Sequence, residues 1–576
     1  MTQPFDRDVE LNAKDEPLRH DVRELGALVG EMLVEQGGPE LFERVESARR
    51  LAIRRRQGDA AAGAELARDL AALDAVGAGE LVRAFAAYFR VVNLAEKVHR
   101  IRRRRSYLRV EDGPPQPESL LDVLARLRAE RPELSASDLQ ELLDGLRVEP
   151  VFTAHPTEAT PRVLLEKEQR IARSLVERLD PSLTVPERRA IDARLRAEVT
   201  TAWQTRELSA ERPTVADERE HVLFFLTDVL YRVVPPFLEE LERAAVAAWP
   251  EAGGTRRAPA LLRFGSWVGG DMDGNPFVDA GTFRAALARQ RELVLGLYRR
   301  DVRALAGRLS QSTERVEVDG AVDERIEALG ELLPEARAAI PERRRRMPYH
   351  VLLTLIAARL DATAAGGEAG YDGPAGFAAD LATIAESLSR HHGEHAGLFW
   401  LRRLERRLAT FGFHLATLDQ RQHAAVHRQA VGRLLNDAQW GTRSAAERAD
   451  VLHAMLGAAR SPDRPAPGLG DGAADPETER VLESFRAAAE ARRTLGPAAV
   501  GLSIISMARA ATTCSRCWRR PVGHRRPAAV DVCPLFETVA DLEAAPEVLT
   551  ELVRDPVYRR HLEGRGLTQH VMVGWQ

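Results

Sequence analysis

The sequence predicts a mainly α-helical protein with an embedded parallel (β/α)8-type barrel, incomplete in this chain. Three observations carry that prediction. Apolar residues at helical spacing run through most of the 576 residues. Six short apolar runs interrupt them at wide intervals, and nearly every run releases a polar or charged residue at its C-terminal end. In a parallel barrel those ends build the active site. An open doubly wound sheet shares part of this pattern. The long helical insertions and the absence of a glycine-rich phosphate fingerprint weigh against it. Only six strands are visible, where a closed barrel of this type has eight.

From about residue 20 to 145 the pattern is helical. Leu25, Leu28, Val29, Met32 and Leu33 hold the spacing of one apolar face, and similar stretches recur at 62–75, 79–98 and 119–145. This predicts a helical region over 1–147, followed by the barrel with its insertions over 148–576. Helical periodicity dominates 164–210, 217–249, 280–309, 322–361, 376–409 and 423–458, while the Gly- and Pro-rich stretches 364–375 and 460–477 read as exposed loops. The predicted strands are Val148–Thr153, Ala260–Trp267, Gly412–Leu418, Val500–Ser506, Val530–Phe536 and His570–Gly574. They lead into His155, into Asp271 and Asp273, into Arg421, into Arg509 and into Glu537; the sixth runs to the chain end.

Composition narrows the function. The chain is 44% hydrophobic and 29% charged, with a net charge of −4, so no global basic field recruits nucleic acid. The runs Arg102–Arg105 and Arg343–Arg346 fit solvated helix faces better than anion sites. The polar N-terminus lacks the apolar core of a secretory signal. No apolar run looks long enough to cross a bilayer, which predicts a cytoplasmic protein without membrane contact. Three cysteines, all between 514 and 533, exclude a disulfide framework.

Four motifs carry the chemistry. In Phe152-Thr153-Ala154-His155-Pro156-Thr157-Glu158-Ala159, a histidine sits on the turn after a strand, with proline fixing the next φ. Alone, such a histidine more often caps or packs. In Gly265-Ser266-Trp267-Val268-Gly269-Gly270-Asp271-Met272-Asp273-Gly274-Asn275-Pro276, the D-x-D-G-N core hints at a calcium loop but lacks the later bidentate glutamate. Its glycines better suit a tight turn close to a ligand or another backbone. In Phe411 to Gln422, Arg421 stands just past a strand end, able to fork onto phosphate oxygens or to pair with Asp419 or a neighbour. In Val532 to Thr538, Glu537 ends a buried strand, which suits Mg²⁺ or the N-terminus of the next helix.

Together these segments resemble the phosphoenolpyruvate carboxylase family, whose motifs read TAHPTEA, GSWxGGDRDGNP, FGxxLxxLDxRQ and VVPLFET. The resemblance extends through Asn93-Leu94-Ala95-Glu96, His99 to Arg103, Trp203-Gln204-Thr205, and Tyr558-Arg559 to Val571-Met572. It implies carboxylation of phosphoenolpyruvate by bicarbonate to oxaloacetate and phosphate, supplying the citric acid cycle, with Mg²⁺ as cofactor and a homotetrameric assembly. Position by position it implies that His155 supports carboxylation, Arg421 holds the substrate phosphate and Glu537 binds the metal. Met272 departs from the pattern, because the family has Arg there. A guanidinium lost near anionic substrates removes bidentate recognition.

Two decoys are set aside. His391-His392-Gly393-Glu394-His395 lacks supporting ligands, and Cys514-Ser515-Arg516-Cys517 lacks a second pair to complete a zinc site. The latter lies in 511–529, which loses all helical periodicity and departs from the family pattern. Back-translated in GC-rich codons, this stretch resumes the pattern in a neighbouring frame, so a local frameshift restored before Val530 is expected. After Gly574 the resemblance also expects a continuation carrying a second metal carboxylate, a catalytic lysine and further strands. The competing class is therefore an inactive relative or a helical binding scaffold.

Overall fold

The computed structural model describes residues 15–110, 113–153, 160–206, 213–252, 260–458, 475–508 and 530–574. His155, Arg509, most of the loop at 460–477 and the whole of 511–529, with Cys514 and Cys517, lie outside the described residues. Two compact units interleave along the chain. One comprises Met1–Leu127 and Thr160–Arg212, the other Arg128–Ala159 and Pro213–Gln576.

The first unit is helical. Its longest helices are Glu16–Arg56, kinked where Gly38 (φ +83°) meets Pro39, and Ala75–Leu108. The Asp74 carboxylate starts the latter by accepting the Gly77 N–H at 2.8 Å, which satisfies one of the orphan donors of a helix N-terminus. Leu25, Val29, Met32 and Leu33 form one stripe of the core, as their spacing predicts. They pack with Leu94 and Val98, and with Ile171, Leu175, Ile191 and Leu195 from the helices Arg162–Glu177 and Val185–Trp203. Those two helices follow the first strand in sequence, yet their apolar stripes are buried here. Leu94→Ala empties a site that is 3% exposed. It should cost about 3 kcal/mol, read as a lowered urea midpoint.

The second unit holds the sheet. Among the described residues six strands, β1 (Val151–Phe152), β2 (Gly265–Ser266), β3 (Thr417–His423), β4 (Val500–Ser506), β5 (Asp531–Phe536) and β6 (Met572–Val573), lie in sequential order. Every neighbouring pair is parallel. Parallel neighbours need long crossovers. The helices Ala280–Arg308, Pro476–Thr494 and Val539–Arg554 lie among those that make them. The mostly helical unit thus carries a curled half-barrel of parallel strands.

Residue alternation sorts the two faces of the sheet. Leu418 and Val500 pack outward against Phe283, Ala286 and Leu287 of Ala280–Arg308 and Ala487, Ala488 and Ala491 of Pro476–Thr494. Ile505 and Phe536 pack outward against Val548, Leu552 and Tyr558. Ile504, Cys533 and Leu535 form another cluster with Trp267, Leu502 and Met572. Burial pushes the Cys533 thiol up to about 12, so it packs as a small apolar group.

Two expectations need correcting. The third strand was expected at Gly412–Leu418 but runs Thr417–His423. Gly412 (φ +50°) and Leu415 (φ +64°) hold left-handed turn conformations that no strand continues through. The strand then passes through Asp419, Gln420, Arg421 and Gln422, polar residues that an apolar-run criterion rejects. Arg421 therefore lies within a strand rather than beyond its end. The second correction concerns membrane length. Among the described residues one helix, Val215–Ala248, is long and apolar enough to span a bilayer, and half of its apolar 18-residue stretch is buried in the protein. His391, set aside above, caps Pro374–Arg390 and meets the Asp319 carboxylate at 3.0 Å.

Candidate active site at the strand ends

Strand alternation in β3 sets up the site. Gln420 points toward Pro476–Thr494, donating to the Ser484 carbonyl at 2.8 Å, while Asp419 and Arg421 share the opposite face. The β3–β4 register shifts between Leu418 and Gln420, a bulge of the kind that re-aims side chains beside active sites.

The segment leaving β2 then closes over β3. The Gly270 and Asp271 N–H groups both donate to the Trp267 carbonyl at 2.9 Å, making a tight turn with Gly269 at φ +91°. Beyond the turn, the Arg421 N–H donates to the Gly270 carbonyl (3.0 Å), and the Met272 N–H to the Arg421 carbonyl (2.9 Å). This pairing puts Asp271 and Asp273 on either side of the Arg421 guanidinium. Arg421 Nη2 donates to Asp273 Oδ2 at 3.0 Å, and Nη1 stands 3.6 Å from Asp271 Oδ2. The D-x-D-G-N turn is closed by the Asp273 N–H on Asp271 Oδ1 (3.2 Å) and by Gly274 at φ +68°.

Two further strand ends converge on this pair. From β4, Ser506 Oγ donates to Asp273 Oδ2 at 2.7 Å. From β5, Glu537 Oε1 approaches Arg421 Nη2 to 3.7 Å. Trp267 lies beneath, its ring centre 5.4 Å from the guanidinium carbon. The structure thus unites Arg421, Glu537, Asp271 and Asp273, all read from the sequence as strand-end residues. It adds Trp267 and Ser506, which the sequence reading passed over. Both are the last residues of predicted strands, so the same strand-end logic points to them.

The alternatives left open by the sequence now separate. Arg421 pairs with Asp273, not with Asp419. The two Asp419 oxygens instead accept the Trp267 indole N–H (3.2 Å) and the Leu502 N–H (2.7 Å). Glu537 precedes the helix Val539–Arg554, whose start is capped by Thr538 and Asp541, and turns to Arg421.

Charge in the cluster is unbalanced. Three carboxylates surround one guanidinium, and burial pushes the Asp271 carboxyl above its ordinary value, against the pull of Arg421. Burial likewise raises Asp419 to about 6 against its two hydrogen bonds. Arg421 Nε is buried and makes no hydrogen bond among the described residues. An anion's oxygen would satisfy it.

The donor set also suits a hard divalent cation. The Glu537 carboxylate is 11% exposed, too far from Arg421 for a hydrogen bond, and sits in an excess of negative charge. Mg²⁺ takes one or two carboxylates and completes its shell with water and substrate oxygens, which this position allows. No cluster of three or more His, Cys, Asp or Glu stands ready for a metal among the described residues.

A parallel half-barrel whose strand ends gather an arginine and several carboxylates has the layout of a barrel active site. Comparison narrows the class: the chain belongs to the phosphoenolpyruvate carboxylase family. The family model described as phosphoenolpyruvate carboxylase matches residues 18–576. The chain is 46% identical over 566 residues to the phosphoenolpyruvate carboxylase of Xanthomonas euvesicatoria, covering 97% of this chain and 61% of that protein. It is 37% identical over 594 residues to the phosphoenolpyruvate carboxylase of Ralstonia nicotianae, covering 98% and 59%. To that of Rhodopseudomonas palustris it is 35% identical over 577 residues, covering 97% and 60%. The chain therefore spans about three-fifths of the length of these relatives.

Proposed function

We propose that this site carboxylates phosphoenolpyruvate with bicarbonate, giving oxaloacetate and phosphate. The supporting observation is Arg421: a guanidinium fixed by strand pairing, flanked by carboxylates, with a buried donor that no described residue takes up. Such a group suits a phosphoryl oxygen. A bicarbonate oxygen attacks phosphorus and the bond to the enol oxygen breaks, leaving carboxyphosphate and the enolate of pyruvate. Carboxyphosphate then releases carbon dioxide and phosphate, and C3 of the enolate attacks the carbon dioxide. Arg421 keeps the phosphoryl group in place while negative charge moves onto its oxygens. Glu537, with water and substrate oxygens, would hold Mg²⁺, which neutralises charge on the phosphoryl and enolate oxygens. The resemblance gives His155 the role of supporting the carboxylation step. In this reading residues 148–576 carry an incomplete (β/α)8-type barrel with large helical insertions. The enzyme works in the cytoplasm as a homo-oligomer, and its product feeds the citric acid cycle.

The test couples oxaloacetate formation to NADH oxidation by malate dehydrogenase. Oxidation should require phosphoenolpyruvate, bicarbonate and Mg²⁺ together. Glu537→Gln should lower the rate about 100-fold while leaving the thermal midpoint close to that of the unaltered protein. Soluble, folded protein that forms no oxaloacetate would sink the proposal, leaving an inactive relative or scaffold.

A further inference from the structure

Asp419 is a buried carboxylate with no place in the reaction outlined above, and its surroundings are built around it. It lies two residues before Arg421 on β3, so both side chains leave the same face of the strand. Its neighbours make room for it. A Cβ on Gly501 would stand 2.2 Å from Asp419 Oδ1, and one on Gly270 would stand 1.9 Å from its backbone oxygen. Each carboxylate oxygen has one N–H donor, the indole of Trp267 and the backbone of Leu502. An aspartate supplies two acceptors for two donors; an asparagine has one acceptor and would turn its own donors toward the other N–H. The indole held this way carries its ring to within 5.4 Å of the Arg421 guanidinium carbon.

We infer that Asp419 is a positioning residue: by holding the Trp267 indole through its N–H, it sets the platform on which Arg421 is aimed at the substrate phosphate. The chain of contact is short. Asp419 holds Trp267 by a hydrogen bond, Trp267 lies under the cation, and Asp273, Asp271 and Glu537 limit its travel sideways. Without the Asp419 acceptor the indole is free to turn, because its N–H then has no partner in this packing. A buried donor left unsatisfied favours that rearrangement. Asp419 touches no reacting atom in this arrangement and acts only through Trp267.

This inference rests on the proposed role of Arg421, so its test separates the two. A double-mutant cycle on Asp419→Asn and Trp267→Phe is read by calorimetric binding of phosphoenolpyruvate and by the near-ultraviolet dichroism band of Trp267. Each single variant should bind about tenfold more weakly. The double variant should bind no more weakly than the weaker single one, because both changes break one unit. Asp419→Asn should also flatten the part of the dichroism band that Trp267→Phe removes, which a residue serving stability alone would not do. Single variants that bind like the unaltered protein, losses that multiply, or a dichroism band unchanged in Asp419→Asn would each overturn the inference. Should Asp419→Asn not fold, Trp267→Phe keeps an aromatic side chain but has no N–H to offer Asp419; unchanged binding there overturns it equally. Unaltered protein that fails to bind phosphoenolpyruvate counts against the functional reading, and the dichroism arm still decides whether Asp419 orders Trp267.

Discussion

Replacing Arg421 with glutamine should abolish measurable turnover, lowering the rate about 1,000-fold or more, and should weaken phosphoenolpyruvate binding as well. The guanidinium is the cation that the described residues bring to the point where β2, β4 and β5 converge, and a neutral amide cannot replace its charge or its fork. The variant carries a second signature, in stability. Burial already raises the Asp271 carboxyl, and Arg421 is the main influence pulling it down. With the cation gone, Asp271 should rise further. A carboxyl whose folded value exceeds its unfolded one binds its proton more tightly in the folded state. Stability then falls as pH climbs through the folded value. The Arg421→Gln deficit, measured as a difference in urea midpoints, should therefore be larger at pH 8 than at pH 5. A deficit that grows toward acid would mean that the carboxylates around Arg421 are not held charged by it.

How much of this was legible in the sequence depends on what kind of information each residue carries. The stripe Leu25, Val29, Met32 and Leu33 names its own buried face, because 3.6-residue spacing has one structural meaning. It does not name the partner. Nothing in the periodicity of 162–203 says that Ile171 and Leu195 pack on the stripe from the N-terminal helices. β4 and β5 were found within a residue because their buried positions are apolar. β3 was displaced because its inner face is made of Asp419 and Arg421, whose burial depends on partners from three other segments. Charged residues in a strand look like a loop until those partners are known. Strand-end logic singled out Asp271, Asp273, Arg421 and Glu537, which the structure brings together. It could not show that Arg421 chooses Asp273 over Asp419, two residues away, because the bulge and the turn after β2 decide that choice.

Gly270→Ala should be among the most damaging single-methyl additions this protein can receive, costing about 3 kcal/mol of stability and about 100-fold in rate. The reason is contact, not conformational freedom. Gly270 is absent from the residues with positive φ, but a Cβ there would stand 1.9 Å from the Asp419 carbonyl oxygen. That oxygen belongs to the backbone of β3 and cannot swing aside as a side chain would. The segment 267–273 must therefore lift from β3, losing the hydrogen bonds from the Arg421 N–H to Gly270 and from the Met272 N–H to Arg421. Each is worth about 1 kcal/mol. Asp271 and Asp273 move with the segment, so the clamp on Arg421 opens even where the protein still folds. Gly274→Ala supplies the contrast. Gly274 does hold a positive φ, +68°, but nothing lies within 4 Å of a Cβ placed there. Alanine at 274 should cost only about 1 kcal/mol of backbone strain. Urea midpoints and initial rates of the two variants, taken side by side, decide the matter. If the two alanines prove equally mild, β2 and β3 are not locked together at Gly270, and the aim of Arg421 must be set elsewhere.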